Sequence, residues 1–316
     1  MWLPRRGQNP GVDDSAGERV LITGASSGIG LATALEYGRR GARVGLLARG
    51  TDGLERAAAM VAGAGGRPLV VSADVADRSG LEEAVAGAVE KIGGVDVAVS
   101  AAAALYYGRF SETPAEDFER TVATTLGGAV NFSRAVLPKL AESGGSLVIV
   151  GSIVSRMPLP LLAGYATAKH GLRGFADSLR VELAEQGSPV SVSLVSPGPV
   201  DTPLWSNLSS RTGVLPPSFP GANVPGDAAA AVVSCASSGR RGTTVGGASV
   251  ALQALSVVAA PLTERLMRAL ASYSLDHPRA GGDARPFDEP IGGGRLRGPL
   301  PWAHRSVLGR LRRRLR

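Results

Sequence analysis

Six short apolar runs recur along the first two thirds of the chain, and they limit the folds open to it more than any other feature. They read "RVLIT", "ARVGLLA", "RPLVVS", "VDVAVSA", "SLVIVG" and "VSVSLVS", starting at residues 19, 42, 67, 95, 146 and 190. Apart from "VSVSLVS", in which serine alternates with valine, they lack the polar alternation of a strand with one wet face, so they are expected to be covered on both sides. Helical spacing fills the gaps: "LATALEYGRR" closed by Gly41, Leu54 to Val61, "LEEAVAGAVEKI" closed by Gly93-Gly94, residues 114–124 and 128–140, and a long run from Tyr165 to Glu185. Such alternation specifies an α/β fold, a doubly wound parallel sheet of Rossmann type.

The rest of the chain is organised around that sheet. Residues 1–17 are rich in Gly, Pro, Asp and Arg and read as a disordered leader. Residues 18–272 read as one domain, with no internal repeat and no second domain. Within it, 199–225 is a proline-rich loop, 226–236 a helix, "TTVGG" a short last strand and 249–272 a single helix. Residues 273–316 read as a Gly/Pro/Arg-rich extension ending in a basic tail.

Charge and cysteine content narrow the function classes. The net charge is +7, but the last twelve residues, "RSVLGRLRRRLR", carry six arginines and no acid. Without them the body is near neutral, which argues against a nucleic-acid partner. In the tail, Val307, Leu311 and Leu315 recur every four residues among arginines. A helix over 305–316 would suit weak contact with an anionic membrane surface, and a solvated, frayed terminus is the plainer alternative. The uncharged run from Gly242 to Thr263 contains Gln253, Pro261 and many small residues, too weakly apolar for a membrane span. No apolar stretch follows the arginines of the first ten residues, so no signal peptide is expected, and the chain reads as cytoplasmic. Cys235 is the only cysteine, and His170, His277 and His304 form no ligand-spaced cluster, so no metal site is expected.

Chemistry enters at the first strand–helix junction. "TGASSGIG" runs from Thr23 to Gly30, with glycine at 24, 28 and 30. Those glycines let the backbone turn tightly, and the N–H groups of Ser26, Ser27, Gly28 and Ile29 with the helix dipole can then face a pyrophosphate. A tight turn with no ligand is the bland alternative, but the first turn of a doubly wound sheet is where dinucleotides bind. After the second strand the chain reads "LLARG", placing Arg49 where an acid would hold a ribose hydroxyl. A guanidinium there suits a 2′-phosphate and favours NADP over NAD. Asp74 and Val75, just past the third strand, lie where an adenine edge is met; capping the next helix is the other reading of Asp74.

The segment "GYATAKHGL" contains one of only three lysines, Lys169, in a chain with 34 Lys+Arg. It stands four residues after Tyr165, on the same helix face. A free phenol titrates near 10, and a neighbouring ammonium is expected to lower that value and ready it for proton exchange with a carbonyl. The compact ammonium can also reach ribose hydroxyls, which a planar guanidinium does poorly. Ser152, at the C-terminal end of the fifth strand, lies where the crevice opens and can hold the substrate oxygen beside Tyr165.

Together these residues resemble the short-chain dehydrogenase/reductase superfamily, from about Arg19 to Thr202 and more loosely to Ser272. "TGASSGIG" matches its cofactor turn, "GSIVS" its serine and "YATAK" its tyrosine and lysine, thirteen residues after Ser152. "SPGPVDTP" matches its Pro-Gly segment. The resemblance implies that Pro197 and Gly198 border the cofactor and that Val200 and Thr202 contact the nicotinamide amide. It implies Ser152, Tyr165 and Lys169 as catalytic residues, with Tyr165 and Lys169 also touching cofactor. The substrate lid would fall in 199–225 and, with Leu204 and Trp205, suit an apolar carbonyl or alcohol. Family members are often dimers or tetramers, so a homo-oligomer is implied. Two departures stand out. "SAAA" at 100–103 replaces the family's Asn-Asn-Ala-Gly, and Thr125 falls at its catalytic asparagine, whose carbonyl holds a water leading to the lysine. The leading expectation is an NADP-dependent oxidoreductase. The alternative, resting on those departures, is an NADP-binding or scaffold protein with little catalysis.

Overall fold

A computed structural model describes residues 17–205, 214–215, 222–276, 279–280 and 293–298. The expected leader, most of the lid and the basic tail lie outside these residues.

The elements follow one another as β1 (Arg19–Thr23), α1 (Gly28–Gly38), β2 (Arg43–Ala48), α2 (Thr51–Gly63), β3 (Arg67–Ser72), α3 (Arg78–Ile92) and β4 (Val97–Ser100). Then come α4 (Ala115–Val122), a π-helical turn (Ala123–Gly127), α5 (Gly128–Ser143), β5 (Ser146–Val150), α6 (Ala163–Glu185) and β6 (Ser191–Pro197). The chain closes with β7 (Val214–Leu215), α7 (Pro225–Ser238), β8 (Gly242–Val245), α8 (Gly247–Val258), α9 (Ala260–Asp276) and β9 (Arg279–Ala280). Seven strands form one parallel sheet in the order β3-β2-β1-β4-β5-β6-β8, and β7 pairs with β9 antiparallel. The order reverses direction between β1 and β4, which opens the crevice at the strands' C-terminal ends.

Alternate residues of each strand face opposite layers. Val20 and Ile22 pack with Leu31, Leu35, Leu54, Val61 and Val232 under α1, α2 and α7. Leu21 enters the other layer with Leu81, Phe132, Leu140 and Leu172, under α3, α5 and α6. Both faces of the central strands are dry, so those runs need no polar alternation, while the edge strands β3 and β8 are only half-buried. Burying side chains such as Phe132 and Leu140, both 0% exposed, contributes about 1.5–3 kcal/mol each.

The observed elements depart from expectation in the last third. The single helix expected over 249–272 is two helices, α8 and α9, broken at Ala259 (φ −137°, ψ 60°). Pro261 explains the break: it lacks an N–H and disfavours helical geometry just before it, so it suits the start of a new helix. The second helix also runs on to Asp276. Among the described residues no helix is long and apolar enough to cross a membrane.

Candidate active site

The glycine turn between β1 and α1 is built for close approach. Gly24 and Gly28 adopt left-handed φ of 68° and 53°. A Cβ on Gly30 would lie 2.3 Å from the Gly24 carbonyl oxygen, and one on Gly24 would lie 2.9 Å from the Ala102 backbone. The turn therefore brings Ser26, Ser27, Gly28 and Ile29 to the crevice, with the N–H groups of the first turn of α1 aimed outward. Thr23 Oγ1 accepts from the N–H groups of Ala101 (3.1 Å) and Ala102 (3.3 Å), which fastens the "SAAA" segment to the turn. Small side chains there leave room, and Ala101 and Ala103 line the cavity. This cradle, lined by backbone donors and closed to a Cβ, fits a pyrophosphate, and in this structure its Gly28 N–H donates to the Arg295 carbonyl.

At the far end of the crevice Arg49 follows β2. The Asp74 carboxylate attracts it but is itself paired with Arg120, accepting from Nη2 at 2.5 Å, and takes the Ala76 N–H at 2.9 Å. Burial works to raise the Asp74 pKa, and the Ala76 and Arg120 hydrogen bonds outweigh it, leaving the group below the usual carboxylate range. Asp74 closes a local turn, while the cap of α3 is Asp77, which accepts from the Gly80 N–H. Val75 is buried, and its carbonyl accepts from Asn131 Nδ2 at 3.0 Å. Asn131 thus fixes the Val75 loop to α5. Nothing in its sequence neighbourhood announced that contact.

Ser152, Tyr165 and Lys169 meet at the ends of β5 and α6. All three are buried, at 8%, 9% and 3% exposure. The Ser152 hydroxyl accepts from the Val154 N–H at 3.2 Å, and the Ser152 backbone N–H donates to Ser155 Oγ at 3.2 Å. Lys169 Nζ donates to the Val150 carbonyl at 2.7 Å and sits 5.4 Å from the centroid of the Tyr165 ring. The lowered phenol pKa expected from the Tyr–Lys spacing is not what these surroundings produce. Burial pushes Tyr165 up to about 12, with the Ser152 hydrogen bond working against it, and burial pushes Lys169 down to about 7. Desolvation penalises both charged forms.

Thr125 lies at the centre of the π-helical turn Ala123–Gly127 and is fully buried. Its Oγ1 accepts from the Ala104 N–H at 3.0 Å and faces the Ala104 carbonyl at 3.2 Å. The helix distortion is therefore present with threonine in place of asparagine. Widened turns of this kind free a backbone carbonyl and recur at functional sites.

The segment after β6 forms the opposite wall. A Cβ on Gly198 would lie 2.0 Å from Ser249 Oγ, and one on Gly28 would lie 3.1 Å from Thr202 Cβ. Thr202 therefore faces the glycine turn directly. Val200 pairs with Asn223, and its carbonyl accepts from Trp205 Nε1 at 2.9 Å. A cavity of about 110 Å³ lies between these walls, bordered by Ser152, Tyr165, Lys169, Pro197, Gly198 and Thr202. Its remaining lining is mostly apolar and includes Met157, Leu159, Leu204 and Trp205. Behind Tyr165 a third apolar cluster joins Leu105, Tyr107, Met157, Leu162 and Met267. Sequence reasoning missed these loop and α9 residues because isolated apolar side chains carry no periodic signal.

Several known proteins resemble this chain. A family model described as short chain dehydrogenase matches residues 18–213. An uncharacterized oxidoreductase of Bacillus subtilis, YxnA, is 31% identical over 258 residues, covering 81% of this chain and 72% of YxnA. A probable oxidoreductase of Mycobacterium tuberculosis, EphD, is 36% identical over 200 residues; the match takes in 63% of this chain and 33% of EphD, so this chain spans about a third of that protein. Among solved structures, an alcohol dehydrogenase from the archaeon Thermococcus sibiricus, complexed with 5-hydroxy-NADP, matches with a TM-score of 0.64 and 28% identity over 72% of this chain and 95% of its own.

Proposed function

The chain belongs to the short-chain dehydrogenase family of oxidoreductases, and on that premise we propose that it reduces an apolar ketone or aldehyde with NADPH, Tyr165 supplying the proton. The observation that carries this reading is the convergence of Ser152, Tyr165 and Lys169 on one buried corner of a cavity that also touches Ile29 of the cofactor turn. Bound NADPH supplies the hydride. The residues of the chain orient the carbonyl and deliver the proton.

Ser152 holds the substrate oxygen beside the phenol. Tyr165 keeps its proton at neutral pH, because burial raises its pKa to about 12. A protonated phenol can donate to an oxygen gaining negative charge, whereas the reverse reaction needs the phenolate that burial disfavours. Lys169, fixed by the Val150 carbonyl, anchors the ribose side of the cofactor and stabilises the phenolate left after transfer. A main-chain carbonyl of the π-helical turn at Thr125 would offer a place for a water that returns the proton. Arg49 beyond β2, set against an Asp74 already engaged by Arg120, supports a 2′-phosphate and hence NADP. The related alcohol dehydrogenase complexed with an NADP analogue is consistent with that preference.

The test is turnover of NADPH against a panel of apolar ketones and aldehydes, by the parent and by Tyr165→Phe. The expected result is a fall in kcat/KM of about 10²–10⁴ with NADPH binding retained, the range for losing a positioned acid. Equal turnover by the variant removes Tyr165 from the reaction. NADPH binding without turnover of any carbonyl favours the alternative of a binding protein, to which Thr125 and the "SAAA" segment would then belong.

A further inference from the structure

A short piece of the C-terminal extension lies on the residues assigned above to the cofactor. The Gly28 N–H donates to the Arg295 carbonyl at 3.0 Å, and the Gly294 N–H donates to the Ser26 carbonyl at 2.7 Å. Ser27 and Arg295 form a parallel β-bridge. At one end Arg56 Nε donates to the Gly293 carbonyl at 3.1 Å, tying the segment to α2 just beyond Arg49. At the other, the Gly298 N–H donates at 3.1 Å to Oδ1 of Asp201, a residue only 3% exposed. Leu296 packs on the apolar layer under α1 and α2.

Residues 293–298 therefore run from one wall of the crevice to the other. Glycines make the close approach possible. A Cβ on Gly293 would lie 2.5 Å from Gly53 Cα and 2.9 Å from the Ser26 carbonyl oxygen, and one on Gly298 would lie 2.0 Å from the Thr202 carbonyl oxygen. The Arg295 carbonyl carries partial negative charge and meets the positive end of α1, where a phosphate oxygen would be stabilised. The side chains of Arg295 and Arg297 are exposed and add positive charge beside the groove.

We infer that residues 293–298 are a strap across the dinucleotide groove, bridging the glycine turn and the Asp201–Thr202 wall, which lifts to admit the cofactor and closes to retain it. This rests on the reading of the groove as a dinucleotide site. The strap is fastened by a few hydrogen bonds of modest individual strength, so it can lift without disturbing the sheet. The Arg295 carbonyl gives up the Gly28 amide as it does so. Both association and release of cofactor are thereby slowed.

The experiment follows NADPH fluorescence by stopped flow, with NADH as a second probe, in three proteins: the full chain, Gly293→Val, and a chain ending at residue 290. Valine at 293 collides with Gly53 and Ser26 and should displace the strap, and the shortened chain lacks it. NADPH release is expected to be about tenfold faster in both altered forms, with faster association as well. If the shortened chain does not fold, Gly293→Val alone decides. Unchanged or slower release overturns the strap while leaving the dinucleotide site standing. Binding only by the altered forms supports it in its extreme form. If no form binds either dinucleotide, the reading of the groove falls and the strap's role in cofactor exchange falls with it.

Discussion

On the wall formed by β1 and α1, what faces the crevice is largely backbone: three glycines, two in left-handed conformations, and the N–H groups that begin a helix. On the wall formed by β5, β6 and α6 it is side chains, with a hydroxyl, a phenol and an amine buried together. The first wall depends on the absence of atoms and tolerates none added. The second depends on particular groups whose protonation is set by the surroundings. A backbone wall recognises what all phosphates share, while a side-chain wall can carry out a reaction.

Breaking the first wall should have the largest effect on dinucleotide binding. Gly30→Val puts a Cβ where the Gly24 carbonyl oxygen already stands, 2.3 Å away. Overpacking of this kind costs about 1–3 kcal/mol, and NADPH binding should weaken by about 100-fold as the turn is displaced. Titration of the variant with NADPH checks it; parent-like affinity would show that the turn does not shape the phosphate site. Arg49→Ala removes a side chain, and its effect is smaller and selective. Losing one charged hydrogen bond, worth about 1.5–3 kcal/mol, should cost NADPH about tenfold or more in affinity while leaving NADH nearly unchanged. Equal losses for both dinucleotides would remove Arg49 from the 2′-phosphate.

The second wall can be sharpened by pH. Burial holds the Lys169 pKa at about 7, well below its ordinary value near 10.4. The unfolded chain therefore binds a proton that the folded chain has lost between those two values, and stability rises with pH across that window. Below pH 7 both states are protonated, and the full penalty for burying the charge is present. Lys169→Met escapes that penalty, so its stability relative to the parent should be greatest below pH 7 and decline steadily toward pH 10. Urea melts at several pH values test this. A difference independent of pH would mean that Lys169 is not held in a neutralising environment.

Much of the backbone wall was legible in the sequence because it depends on local rules. Glycine at 24 and 28 is dictated by left-handed φ and glycine at 30 by its approach to the Gly24 carbonyl, and both are properties of a few consecutive residues. The Tyr165–Lys169 pairing was legible for a similar reason, since four residues along a helix share a face. What that pairing does to the phenol was not legible. Spacing counts the neighbouring ammonium, whereas the pKa follows how much water the fold removes from both groups. Thr125 shows the same division. Its identity left the local helix distortion open, although a relay through a main-chain carbonyl is one that threonine can keep; the widened turn around it is present and its hydroxyl is bound to Ala104.

The sequence by itself determined the layered sheet, the place of the crevice and the residue types gathered there. Hydrophobic runs, glycine positions and helical spacing act over distances of a few residues. Only the tertiary structure decided how deeply the phenol and the amine are buried, that a helix breaks at Ala259, and that Arg295 lies on Ser27. Desolvation and contacts between distant parts of the chain arise from packing in three dimensions, and no local pattern encodes them.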